Sequence, residues 1–331
     1  MSFPKLCYTY RKCRIGKGFK DSMNYVFIIN PVAGKGGQQD EIAKFIRGFF
    51  SDRPEDSIRI YLTKSPGDAT RFGKECPLPE DEETCFVACG GDGTFYEVVN
   101  GAFGRPNVSF AIYPCGSGND FIKSVGGKKS DYLDLQRLVG GKNRIFDAIR
   151  VNDYICSNLC NIGIDSVICD KMNNYKKIPG ISGPTAYNLS TAVTIASHAI
   201  SGIGFPIKIQ FDSGEVLENR YMLSVFGNGK VYGGGYYPVP EASMDDGLID
   251  FCAVSEASIF KIGKLIGTYK AGNHVGNPAF DGLLEMRRCR SAVIDSPEDL
   301  TVCVDGEIFK SNHIEIELLP ATLPFRVPDF E

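Results

Sequence analysis

Three short polar loops hold the residue types that could do chemistry: Asn30-Pro31-Val32-Ala33-Gly34-Lys35, Gly90-Gly91-Asp92-Gly93-Thr94 and Gly116-Ser117-Gly118-Asn119-Asp120. Each follows an apolar run that reads as a strand, namely Tyr25–Ile29, Thr84–Cys89 and Val108–Pro114. Glycine lets a backbone approach an anion and adopt conformations closed to other residues. Helices beginning at Thr94 and near Asn119 would aim N–H groups and positive dipole ends at the same place. Lys35 would add a point charge for a phosphate. One such loop often serves only a tight strand–helix connection. Three on one sheet edge, two of them with an aspartate, read as a polyphosphate cradle, because ligands of parallel sheets bind at the carboxyl ends of the strands. The cradle is not a Walker loop, since Gly36 follows Lys35. The dinucleotide fingerprint G-x-G-x-x-G and the protein-kinase H-R-D and D-F-G motifs are also missing.

The elements that must position these loops alternate. After the first strand and its glycines comes a helical pattern from Gln39 to Phe50, then a strand at Ser57–Leu62 and a short helix over Pro66–Glu75. The third and fourth strands are each followed by a loop and a helical run. Strands alternating with helices predict a parallel sheet with crossover connections. From about Arg144 the pattern changes to short strands: Arg144–Val151, Tyr154–Asn158, Ile207–Asp212, Arg220–Phe226, Leu248–Val254, Ala292–Asp295 and Leu300–Val304. Helical patterns there are confined to about 184–200 and 257–271, so a mostly antiparallel β domain is expected. The 331 residues suit two domains. The boundaries read as a basic extension (1–22), a nucleotide-binding α/β domain (23–146) and a β-rich substrate domain (147–315). Residues of about 316–331 are candidates to return to the first domain.

Composition excludes several classes. The net charge of −4 provides no field to gather nucleic acid. No stretch approaches 18 uninterrupted apolar residues, so a helical membrane span is not expected. Twelve cysteines include no C-x-x-C, and no histidine is spaced from them as a zinc site requires, so reduced thiols in a cytoplasmic protein are expected. Residues 1–22 carry six basic residues and one acid. Either they form an arm that touches anionic lipid, or translation starts at Met23, where a first strand begins naturally.

NPVAGKG, VACGGDGTFYEVVNG and YPCGSGNDF resemble the three nucleotide-site motifs of the diacylglycerol kinase catalytic-domain superfamily, which also includes sphingosine and ceramide kinases. GIDSVICDKMN, GGGYYPVPEASMDDGLID and VCVDGEIF resemble its later motifs in the same order, so the resemblance spans about residues 23–320. Size and order are most similar to the bacterial soluble lipid kinases. The resemblance implies an α/β domain with a parallel sheet followed by a mostly antiparallel β-sandwich domain, with Mg·ATP as donor.

It also implies roles. Gly90, Gly91, Gly93 and Thr94 surround the phosphates with Asn30, Gly34 and Lys35 nearby, and Gly116, Ser117, Gly118 and Asn119 complete the cradle. Asp92 organises catalytic Mg²⁺, directly or through water, and Asp120 supports this loop or the nucleotide. Asp305 matches the proposed general base; read without the resemblance, Asp305-Gly306 is first a hairpin turn signal between Leu300–Val304 and a strand near Ile308. Asp246 with the carbonyls of Ser243 and Leu248 matches a structural magnesium site, to which Asp147 could connect through water. Lys176 and Lys177 are both candidates for a phosphate-facing lysine, and His274 reads as structural. The acceptor would be a lipid alcohol at a bilayer surface, foremost diacylglycerol, making the protein peripheral to the membrane. Thr185–Ile203 and Tyr232, Tyr236 and Tyr237 are candidates for lining or docking. Family members are often dimers, so a homodimer is a further expectation. The alternatives are another lipid alcohol, NAD kinase, and a non-catalytic nucleotide sensor.

Overall fold

The structure, a computed structural model, describes residues 23–34, 36–54, 56–116, 118–175, 189–191, 193–194 and 204–330. The basic segment 1–22, Lys176, Lys177 and most of Thr185–Ile203 lie outside the described residues.

Strands β1 (Asn24–Ile29), β2 (Ser57–Leu62), β3 (Thr84–Gly90) and β4 (Val108–Pro114) form a parallel sheet in the order β4-β3-β1-β2. Helices α1 (Gln39–Phe50), α2 (Asp68–Glu75) and α3 (Asp92–Ala102) make the crossovers. The central strands are uninterrupted apolar runs because both faces are covered. Phe27, Val87 and Ala111 pack with Ile46 and Phe50 of α1 on one face. Ile28, Phe86 and Phe110 pack with Val98 and Val99 of α3 on the other. Three short helices, α4 (Asp120–Val125), α5 (Lys129–Leu133) and α6 (Leu135–Gly140), then lead out of the sheet.

The second half is antiparallel around two further cores, as its strand-rich sequence predicts. It comprises β5 (Lys142–Val151), β6 (Tyr154–Cys156), β7 (Leu159–Gly163), β8 (Phe205–Phe211), β9 (Val216–Gly227), β10 (Ile249–Ser255), β11 (Leu284–Cys289), β12 (Ser291–Val304) and β13 (Glu307–Val327). Residues 291–304 form one strand rather than the two expected, because β12 absorbs Ser296-Pro297-Glu298-Asp299 as an irregularity between Asp295 and Leu300. Helices α7 (Ile164–Tyr175) and α8 (Ile259–Lys270) pack on this half. Helix α7 was not expected; its sequence IDSVICDKMNNY mixes β-branched and asparagine residues and buries little of itself. Among the described residues no helix is long and apolar enough to cross a membrane.

Strand β13 joins the halves. Its first part pairs with β12, its later part with β5, and Phe325 meets Phe110 of β4 in parallel register. Between Leu319 and Leu323 the register shifts, with Ala321 at φ 52°. Asp147 of β5 holds this bulge: Oδ1 accepts from Ala321 N at 2.7 Å and Oδ2 from Gly247 N at 2.8 Å. Beyond the bulge, the Phe325 ring lies 5.0 Å from Phe121, 5.8 Å from Phe95 and 6.2 Å from Phe146. Phe325→Ala is therefore expected to cost about 3–5 kcal/mol of unfolding free energy in a denaturant titration. A loss below about 1 kcal/mol, the scale of a surface change, would show that this cluster does not hold β13 to the first sheet.

Candidate active site

One cleft of about 1420 Å³ runs from the carboxyl edge of the parallel sheet into the second half. At the sheet end it is lined by Asn30–Gly34 after β1, Thr63–Pro66 after β2, Gly91–Thr94 after β3, and Gly116, Gly118 and Asp120 after β4. All four strands thus contribute their carboxyl ends. The second of these segments has no glycine signature, so sequence reasoning missed it, although it brings Lys64 to the cleft.

The loops are locked to one another by main-chain contacts that require glycine. Gly116 N donates to Gly90 O at 2.8 Å, and Asp92 N donates to Gly118 O at 3.1 Å. A Cβ at Gly91 would stand 2.7 Å from Gly118 O, and one at Gly116 would overlap the Gly91 main chain. Gly90 and Asn119 stand behind the cleft wall as braces; the Asn119 amide donates to Gly116 O at 3.0 Å. Asn30 Oδ1 accepts from Val32 N, shaping the first loop, while its Nδ2 donates to Thr94 Oγ1 at 3.1 Å. The first-turn N–H groups of Gly93 and Thr94 have no partner within α3, and both residues face the cleft. Lys35 and Ser117 lie outside the described residues.

Asp92 faces the start of α4. Both its oxygens accept from Asp120 N at 2.9 Å, and Oδ1 also accepts from Phe121 N at 3.3 Å. Burial pushes its carboxyl up to about 6; repulsion from Asp120 and Asp305 adds to the rise, and the amide contacts oppose it. Asp120 reaches the other way: Oδ2 accepts from Gly234 N at 2.9 Å and Oδ1 pairs with Lys123 at 2.6 Å. One aspartate pair therefore connects the third loop, the fourth loop and the second half.

Asp305 and Gly306 form the two-residue turn between β12 and β13, with Val304 paired to Glu307. Both have positive φ, 50° and 99°, the geometry of a type I′ hairpin. The turn signal is real, and the turn points its aspartate at the cleft. Oδ2 accepts from Ser157 N (2.6 Å) and Ser157 Oγ (2.8 Å). Oδ1 accepts from Asn158 N and Leu159 N, both at 3.0 Å, and from the Cys156 thiol at 3.3 Å. Burial raises this carboxyl above its ordinary value and the donors pull against the rise. Glu307, which sequence reasoning passed over, also lines the cleft and packs over Gly93.

Beyond the hairpin the cleft is apolar, walled by Ile168 and Met172 of α7, Ile262 and Leu265 of α8, Met222 and Leu223. Tyr232 and Tyr236 line it, whereas Tyr237 does not. Asp165 interrupts this wall, its carboxyl pushed up to about 6 by burial against the pull of Tyr232, Ser166 and Asn161. Sequence reasoning gave Asp165 no role, although it lies in the quoted GIDS segment.

Ser243, Asp246 and Leu248 are not brought to the cleft. Asp246 Oδ1 accepts from Leu248 N at 3.1 Å and Oδ2 pairs with the Arg288 guanidinium, which also lies 3.3 Å from Asp250. The chain itself thus supplies a positive charge to the Asp246 carboxylate at this turn. Asp147 reaches the same turn directly, through Gly247 N, with no water needed. His274 is fully buried, with Nε2 3.0 Å from Pro238 O.

Residues 24–151 match the diacylglycerol kinase catalytic domain, and residues 158–326 match the YegS C-terminal NAD kinase beta sandwich-like domain. A Pseudomonas aeruginosa protein named "Probable lipid kinase YegS-like" is 28% identical over 275 residues, which cover 82% of this chain and 85% of that protein. The diacylglycerol kinase of Staphylococcus carnosus is 28% identical over 255 residues, covering 75% of this chain and 77% of its own. The crystal structure of a diacylglycerol kinase from Bacillus anthracis shares the fold, with a TM-score of 0.65, 22% identity and coverage of 92% and 96%. With both domains present in order, the chain belongs to the diacylglycerol kinase-like family of lipid kinases.

Proposed function

We propose that the protein transfers the γ-phosphate of Mg·ATP to the hydroxyl of a membrane lipid alcohol, diacylglycerol being the acceptor the family favours. The observation that carries this reading is a continuous cleft with glycine-rich loops at one end, apolar walls at the other, and the Asp305 hairpin lining both. An apolar wall suits acyl chains and offers few partners to the phosphates and riboses of a dinucleotide acceptor. The acceptor is thereby expected at the bilayer surface.

In this reading the N–H groups of Gly93 and Thr94 bind phosphate oxygens, and Lys64 supplies a described positive charge at the same end of the cleft. Magnesium that arrives with the nucleotide neutralises phosphate charge and needs only one or two carboxylates from the protein. Asp92 fits that requirement, because its half-buried carboxylate lines the cleft, is repelled by Asp120 and Asp305, and gains from a nearby cation. Among the described residues no cluster of three or more metal-binding side chains exists, so any such ion depends on the phosphates for its remaining ligands.

Asp305 is the proposed base. Its raised carboxyl is a better proton acceptor at neutral pH than an ordinary aspartate. Five donors already fill its oxygens, so accepting a proton means releasing one of them. The Ser157 hydroxyl is the natural contact to yield, since it rotates without moving the main chain. Asp305→Asn preserves the size and the left-handed turn. It is expected to leave ATP binding within about threefold while lowering transfer by about 10²–10⁴, the usual worth of a general base. Transfer at the wild-type rate, followed with γ-labelled ATP and diacylglycerol in mixed micelles, would remove Asp305 from the chemistry.

The pH dependence follows from Asp92. Its carboxyl moves from 3.8 up to about 6 on folding, so folding favours its protonated form. That stabilising contribution is full below about 3.8 and disappears as pH rises through about 6. Transfer needs the ionised form, so kcat/KM should fall on the acid side near pH 6. The corresponding limb in kcat, measured with saturating Mg·ATP, should lie lower. Asp165 titrates in the same range, and Asp165→Asn distinguishes the two: the limb persists if Asp92 is responsible and vanishes if Asp165 is.

A further inference from the structure

Helix α8 has two sides with different tasks. Ile262, Leu265 and Tyr269 recur at helical spacing and pack against the core beneath. At 100° per residue, Phe260 and Lys264 project from the opposite side. Phe260 is 82% exposed, and Ile266 on the flank is 41% exposed. The helix carries Lys261, Lys264 and Lys270 and no acidic residue, although the whole chain is net acidic. Nothing in the described fold covers Phe260, and an aromatic ring left in water beside lysines is the composition of a helix that lies in a membrane interface.

Position adds the second argument. The same helix forms a wall of the apolar part of the cleft, through Ile262, Leu265 and Ile266. Its other surface therefore stands one helix thickness from the chamber where acyl chains would sit. We infer that the outer face of α8 seats the enzyme on an anionic bilayer, with Phe260 inserted among the acyl chains and Lys264 at the headgroups. A lipid acceptor could then pass from bilayer to chamber along a continuous apolar surface. This deepens the lipid-kinase reading and rests on it for the acceptor, but membrane binding itself can be measured without catalysis. Helix α1 provides an internal comparison. Phe45 is 52% exposed there, but Asp40 and Glu41 balance Lys44 and Arg47, and no α1 residue lines the cleft.

The test uses the full chain and sedimentation with vesicles of phosphatidylcholine, alone or mixed with phosphatidylglycerol. Phe260→Asp and Lys264→Glu should each lower partitioning onto the mixed vesicles by about tenfold, whereas Phe45→Asp should leave it unchanged. Added salt should weaken wild-type binding. All three variants should melt with the wild type and phosphorylate a water-dispersed short-chain diacylglycerol at the wild-type rate. Wild-type partitioning by both α8 variants, or failure of the wild type to bind the mixed vesicles, overturns the proposal. If the wild type binds vesicles through Phe260 and Lys264 but phosphorylates diacylglycerol in neither form, the docking face stands and the choice of acceptor falls.

Discussion

The loops of this protein are held by buried and half-buried carboxylates that accept main-chain N–H groups. Asp92 takes those of Asp120 and Phe121, Asp147 those of Gly247 and Ala321, and Asp305 those of Ser157, Asn158 and Leu159. Asp120 adds Gly234. In each case a carboxylate on one segment satisfies amides on another far along the chain, where unpartnered buried amides would be costly. Hydrogen bonds to an ionised acceptor are stronger than those between neutral groups, so the same device that satisfies the loops also fixes them. The site inherits its rigidity from these joints.

Two of those aspartates carry proposed chemical roles, and the two duties pull in opposite directions. A carboxylate saturated by amides is well placed but slow to accept a proton, whereas burial makes the charged form expensive and the proton welcome. Asp305 shows both forces, with burial prevailing. Asp147, which carries no proposed chemistry, shows the joint in its purely structural form.

Local chemistry made much of this legible in the sequence. Each glycine loop follows an apolar run, and the α/β alternation has a strong period, so the parallel sheet and its carboxyl edge could be read residue by residue. Asp305-Gly306 was legible twice, as a turn and as a family motif, and the structure makes the two compatible. What escaped depended on distant partners. Arg288 pairs with Asp246 from 42 residues away, a partner that the local turn signal at Asp246-Gly247 does not announce. Thr63–Pro66 reaches the cleft only because β2 is parallel to β1. Helix α7 turns its apolar positions Ile164, Ile168 and Met172 to the cleft, and the β-branched and asparagine residues among them weakened its helical signal.

Strand β13 supplies large side chains of the first core from far along the sequence. Phe325 is packed among Phe95, Phe121 and Phe146, all of which precede it by at least 179 residues. During synthesis the first half therefore leaves the ribosome with its aromatic cluster open on one side, and it stays so until β13 has emerged. The strand that closes this cluster starts at the Asp305 hairpin, so one segment both completes the first core and brings Asp305 to the cleft.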